Sequence, residues 1–81
     1  MLIVRYHDIY GKHLGDIHKG NFQMREAIEA ITNPYKSPIF ANMAVKAFIF
    51  DEEDGETLVS ANRGKSGKWL VTDHVIWASR S

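Results

Sequence analysis

Residues 43–51, Met-Ala-Val-Lys-Ala-Phe-Ile-Phe-Asp, constrain the fold more than any other part of the chain. In an extended strand successive side chains point to opposite faces. Val45, Ala47 and Ile49 then share one face, while Ala44, Lys46, Phe48 and Phe50 share the other. Both faces are largely apolar, the pattern of a central strand flanked on both edges. A chain of 81 residues has room for one core. The strand therefore predicts a single domain over 1–81 built around one sheet.

The rest of the chain supplies the partners for that strand. Leu2 to Tyr10 reads as a strand with Leu2, Val4 and Tyr6 on one face and Ile3, Arg5, His7 and Ile9 on the other. Gly11 tolerates positive φ, so Ile9-Tyr10-Gly11 fits a three-residue hairpin loop closed by Asp8 and Lys12. A short strand from His13 to His18 follows, ended by Lys19-Gly20. Asn21 is a good N-cap for a helix running to about Thr32, with Met24, Ala27, Ile28 and Ile31 as its apolar stripe. Asn33-Pro34 stops it, because proline disfavours helical geometry in the residue before it. Residues 34–42 connect, with Ile39 and Phe40 expected to pin the connection to the core.

After the central strand, Asp54-Gly55 marks a hairpin and Thr57 to Ala61 returns antiparallel. Gly64 and Gly67 mark another turn before a strand from Lys68 to Thr72. Val75 to Ala78 reads as a last short strand, or as the same one continued past a bulge at Asp73-His74. The order β-β-α-β-β-β predicts an α+β domain: an antiparallel sheet of about five strands with one helix packed on one face. Phe48, Phe50, Trp69 and Trp77 cannot all fit beneath one short helix. Some of them are expected on the open face, as a partner surface or a dimer contact.

Composition narrows the function classes. Ten basic and ten acidic residues cancel, so net charge alone does not drive binding to nucleic acid or anionic lipid. The distribution is uneven: Asp51, Glu52, Glu53, Asp54 and Glu56 form an acidic run, and Arg63, Lys65 and Lys68 a basic one. The absence of cysteine excludes disulfides and thiolate zinc sites and suits a reducing cytoplasm. Met1-Leu2-Ile3-Val4 is too short an apolar run for a signal peptide or a membrane span.

No motif with a diagnostic spacing emerges. Gly64-Lys65-Ser66 resembles the end of a phosphate-binding loop, but the glycine required five positions earlier is Val59, and strand rather than helix follows. A basic turn that grips phosphates or an acidic protein surface remains, beside a solvated turn whose glycines serve geometry. The acidic run fails the calcium-loop spacing, since counting back from Gly55 puts Phe50 at the first ligand position. It fits a charged hairpin tip, or an imitation of a nucleic-acid backbone. His7 and His13 oppose each other in the proposed hairpin, with His18, His74 or Asp73 as a conceivable third metal ligand, but no local ligand spacing supports one. Asp73-His74 is not a dyad, because neighbouring strand residues face opposite ways. Neither catalytic residues nor a cofactor nor a metal is therefore expected.

The strand and glycine turn at the start, the helix carrying Phe22-Gln23-Met24-Arg25-Glu26-Ala27-Ile28, then Ala47-Phe48-Ile49-Phe50, an acidic turn ending in Gly55 and a late Gly67-Lys68-Trp69 form a recognisable layout. It resembles that of some type I anti-CRISPR proteins, small phage and mobile-element products. The resemblance implies a bent sheet with one helix and inhibition by stoichiometric binding to a host protein or ribonucleoprotein complex in the cytoplasm. Arg63, Lys65, Lys68 and Trp69 would be the contacts, with Lys36 as an addition. A nucleic-acid-binding module built on the basic turn is the alternative, and a histidine metal site or nucleotide-signal sponge is the third reading. Arg5 and Lys46 would extend a basic-aromatic surface across the sheet.

Overall fold

The computed structural model of the protein describes residues 1–18, 21–53 and 55–73. Strands β1 (Leu2–His7) and β2 (His13–His18) precede helix α1 (Met24–Thr32) and a 3₁₀ turn (Ile39–Met43). Strands β3 (Lys46–Asp51), β4 (Thr57–Arg63) and β5 (Trp69–Asp73) follow. All five form one antiparallel sheet in the order β2-β1-β3-β4-β5. The fold is thus the expected α+β arrangement, and the strand with two apolar faces is the middle one.

Three hairpins build the sheet, and each turn contains a glycine at positive φ. Asp8 and Lys12 close the first loop through Asp8 N–H to Lys12 O (3.0 Å), with Gly11 at φ 79°. The Asp8 carboxylate also accepts the N–H groups of Tyr10 and Lys12, which holds the turn from inside. Gly55 (φ 70°) and Gly67 (φ 85°) do the same work in the β3–β4 and β4–β5 turns.

The core lies between the sheet and α1, which crosses β1, β3 and β5. Val4, Tyr6, Ala47, Ile49, Val59 and Ala61 rise from the sheet to meet Ala27, Ala30 and Ile31. Small residues on β3, β4 and α1 let helix and sheet approach closely. Phe40 of the 3₁₀ turn fills the corner over β2: its ring meets Tyr6 edge-on at 5.5 Å and sits over Gly15. A Cβ at Gly15 would lie 2.9 Å from that ring, so any larger residue forces the ring to shift.

The C-terminus of α1 is tied down by a proline effect. Ala30 C=O would ordinarily accept the N–H four residues on, but residue 34 is proline and has none. Tyr6 Oη donates to that carbonyl instead (3.0 Å), as does Ser37 Oγ (2.6 Å). Tyr6 is fully buried, and burial pushes its hydroxyl pKa up to about 12.

Several boundaries differ from the sequence expectation, each for a local reason. α1 begins at Met24 with Gln23 as N-cap rather than Asn21, because Gln23 and Glu26 form a capping box. β1 stops at His7, where the Asp8 side chain claims the turn. The 39–43 stretch is a 3₁₀ turn, so β3 starts at Lys46 rather than Met43. Ile39 is 88% exposed and pins nothing; Phe40 alone does that. β4 runs on to Arg63, and β5 spans Trp69–Asp73. The expectations for Lys19-Gly20, Asp54, His74, the 75–78 strand and Trp77 lie outside the described residues.

Candidate functional site

The sheet face away from α1 has no layer over it among the described elements, and two phenylalanines stand at its centre. Phe48 and Phe50 of β3 point there because their neighbours Ala47 and Ile49 are the core residues. β1 sets Arg5 opposite Phe48 and Ile3 opposite Phe50. The Arg5 guanidinium lies 4.8 Å from the Phe50 ring centroid, and His7 meets Phe48 edge-on at 5.5 Å. A depression of about 400 Å³ lies between them, lined by Arg5, His7, Phe48, Phe50, Gly55 and Thr57.

Two β-bulges assemble this surface. In β2 the register moves from His7–His13 to Tyr6–Gly15, leaving Leu14 as the extra residue. Leu14 packs against the core, and the slip carries Asp16 to the position opposite Arg5. Without it, Gly15 would face Arg5 and Asp16 would turn toward the core side. In β4 the register moves from Ile49–Val59 to Phe50–Thr57, so Leu58 packs inward and Thr57 borders the depression.

Asp16 then organises the polar rim. Its carboxylate accepts Arg5 Nε (2.9 Å) and Nη2 (3.0 Å), a two-pronged pair that fixes the guanidinium plane. His13 Nε2 stands 2.8 Å from the same carboxylate and must donate, since an ionised carboxylate only accepts. The Arg5 bond, reinforced by His13, holds the Asp16 carboxyl below its usual range, and raises the Arg5 guanidinium in turn. His7 Nδ1 donates to Gly11 O at 3.1 Å, which leaves Nε2 as the ring's acceptor when the ring is neutral. The His7 and His13 rings are 5.9 Å apart, as the hairpin expectation required. Among the described residues no group of three metal-ligating side chains comes together.

Of the contact residues expected from sequence, Arg63, Lys65, Lys68 and Trp69 gather about the β4–β5 turn, away from the Phe48–Phe50 depression, and Lys36 lies apart from them. Arg63 Nη1 donates to the carbonyls of Asn42 (3.1 Å) and Ala44 (3.3 Å), anchoring the end of the 3₁₀ turn. Its guanidinium stands 5.8 Å from the Trp69 ring. Trp69 packs half-buried against the core on the α1 side. Lys65 and Lys68 are exposed on the β4–β5 turn. Lys36 pairs with Glu29, which raises its pKa, and lines a separate groove of about 370 Å³ with Ile17, Phe22 and Glu26. The Arg5–Asp16 pair is the feature sequence reasoning missed. Its only signal was an opposite-charge pair on neighbouring strands, legible once the Leu14 bulge is known.

No protein-family model, curated protein or solved structure matches this chain. Among the described residues no helix is long and apolar enough to cross a membrane.

Proposed function

We propose that the chain is a non-enzymatic binding protein that covers a protein surface with the open face of its sheet. The supporting observation is the Phe48–Phe50 depression ringed by polar groups that already satisfy one another. A half-buried aromatic floor inside a polar rim is how protein interfaces are built. Arg5 lies over one face of Phe50, and its charge is matched by Asp16. That arrangement disfavours stacking of nucleobases and favours an apolar side chain inserted between the two rings. The resemblance of the sequence layout to type I anti-CRISPR proteins suggests a host nucleoprotein complex as the target and blockade as the outcome.

The test is co-elution of the purified protein with a type I surveillance complex, compared across two variants. The proposal expects a stoichiometric complex that Lys65→Glu/Lys68→Glu leaves intact and Phe48→Ala/Phe50→Ala abolishes. Loss with the lysine pair and retention with the phenylalanine pair would transfer the function to the basic turn. That second reading has its own support, since both lysines are exposed on a tip that carries no acid between Arg63 and Lys68. It predicts binding to bare DNA or RNA that weakens steeply with salt.

A further inference from the structure

Among the described residues, the two edges of the sheet, β2 and β5, are guarded very differently. β2 carries His13, Asp16 and His18, and its Gly15 lies under Phe40. β5 presents Trp69-Leu70-Val71-Thr72 with no proline or bulge and with its one charged residue, Asp73, at its last position, and Leu70 is 68% exposed. Natural edge strands usually carry one of those guards, because an unpaired row of N–H and C=O groups is a template for another strand. We infer that β5 pairs with β5 of a second copy, joining two sheets of this chain into one ten-stranded antiparallel sheet.

The backbone fixes the register. Gly64 N–H donates to Lys68 O at 2.9 Å, and hydrogen-bonded rows recur at every second residue. The rows turned toward β4 are therefore Asn62–Leu70 and Ser60–Thr72. Arg63 N–H agrees, since it points the other way, to Val45 O at 2.8 Å. The N–H and C=O groups of Trp69, Val71 and Asp73 thus face out from the edge. A two-fold axis through Val71 matches them to one another, Val71 with its own copy and Trp69 with the second copy's Asp73. The same axis sets Leu70 beside the second copy's Thr72 on the open face and keeps both helices on one side. The register is self-complementary, as a two-fold interface requires.

Charge selects the same arrangement. The basic turn carrying Lys65 and Lys68 and the acidic turn carrying Glu52, Glu53 and Glu56 lie at opposite ends of the sheet. Antiparallel pairing reverses the second copy, so each basic turn comes beside the other copy's acidic turn. Three strand spacings, about 14 Å, separate the two backbones. Long Lys and Glu side chains reach across that gap, twice per dimer. Parallel pairing would set like ends together instead.

Sedimentation equilibrium of the whole chain tests the inference. The expected mass is twice the 9.2 kDa of one chain, with association weakening as salt rises. Val71→Pro removes an outward N–H without touching the β4 ladder and is expected to weaken association about tenfold or more, with unchanged circular dichroism. Leu70→Lys, which leaves the backbone intact, is expected to do the same. Hydrogen exchange on the unaltered protein supplies a second reading: Val71 and Asp73 amides slow as concentration rises. A monomer at every concentration overturns the inference, as does a dimer indifferent to both substitutions. A monomer whose Val71 amide is already protected overturns it too, because the edge is then covered from within one chain.

Discussion

The carbonyl of Ala30 offers the sharpest test of how the helix is held. Pro34 deprives it of its helical partner, and two hydroxyls from distant segments replace that bond. Tyr6→Phe removes one donor and keeps the ring, so the carbonyl still has Ser37; the expected cost is about 1 kcal/mol, the net worth of one hydrogen bond. Ser37→Ala removes the other, at a similar cost of about 1 kcal/mol. The double variant leaves a buried acceptor with no partner, adding a desolvation penalty of about 1–3 kcal/mol. It should therefore cost about 3–5 kcal/mol, with a coupling of about 1 kcal/mol or more between the two sites. That is a large share of the roughly 4–12 kcal/mol expected for a domain of this size. Urea unfolding of all four proteins reads the cycle directly, since midpoints move while the slope stays fixed. Additivity within about 0.3 kcal/mol would show that water or a relaxed turn satisfies the carbonyl, and would refute the account.

Three further outcomes follow from the same contacts. Burial raises the Tyr6 hydroxyl from 10.0 to about 12, so the folded chain keeps a proton that the unfolded chain loses first; stability should hold below the unfolded value, fall as pH rises between the two, and lose that dependence in Tyr6→Phe when followed by urea midpoint against pH. Gly15→Val forces the Phe40 ring away from Tyr6 and should cost about 1–3 kcal/mol in thermal or urea unfolding, with the cost reduced when Phe40→Leu is made alongside. Asp16→Asn should lower stability by under about 1 kcal/mol, because the pair is partly exposed. The depressed Asp16 carboxyl makes that contribution present above its unfolded pKa and lost as pH falls through the folded value, so the variant and the parent should converge in acid.

Periodicity made most of the fold legible before any coordinates. The two-sided apolar pattern at 43–51 requires a central position, and β3 occupies it. The glycine at 11 and the Asp8–Lys12 pair specify a loop length, so the facing of His7 and His13 follows by counting. Counting fails one step later. The Leu14 bulge shifts every following residue of β2, and a bulge has no signature in alternation when the extra residue is itself apolar. The Arg5–Asp16 pair was hidden for that reason. Leu58 hid Thr57 in the same way. The anchoring of Arg63 was hidden for another reason: its charge is visible in the sequence, but the carbonyls of Asn42 and Ala44 that it engages belong to the end of a turn whose 3₁₀ form only the fold reveals.

The open face poses the question that geometry answers least trivially. A helix of nine residues is about 14 Å long, while five strands at about 4.8 Å make a sheet about 20 Å across. Among the described residues, one helix and a 3₁₀ turn therefore cover one face and no element covers the other. A solvated face of an antiparallel sheet ordinarily alternates to polar residues, as Ser60, Asn62 and Thr72 do here. β3 breaks the rule with Phe48 and Phe50, beside Ile3 of β1 and Leu70 of β5 on the same face. Propensity favours phenylalanine in strands, but tyrosine or threonine would meet that preference without exposing apolar surface. Arg5 covers one face of Phe50 and His7 meets Phe48 edge-on, and the depression between them stays open. An aromatic pair kept half-covered at the middle of a sheet, with its flanking guanidinium locked by a carboxylate, is the feature on which the proposed binding face rests. The central strand that fixes the fold is for that reason also the strand expected to meet the partner.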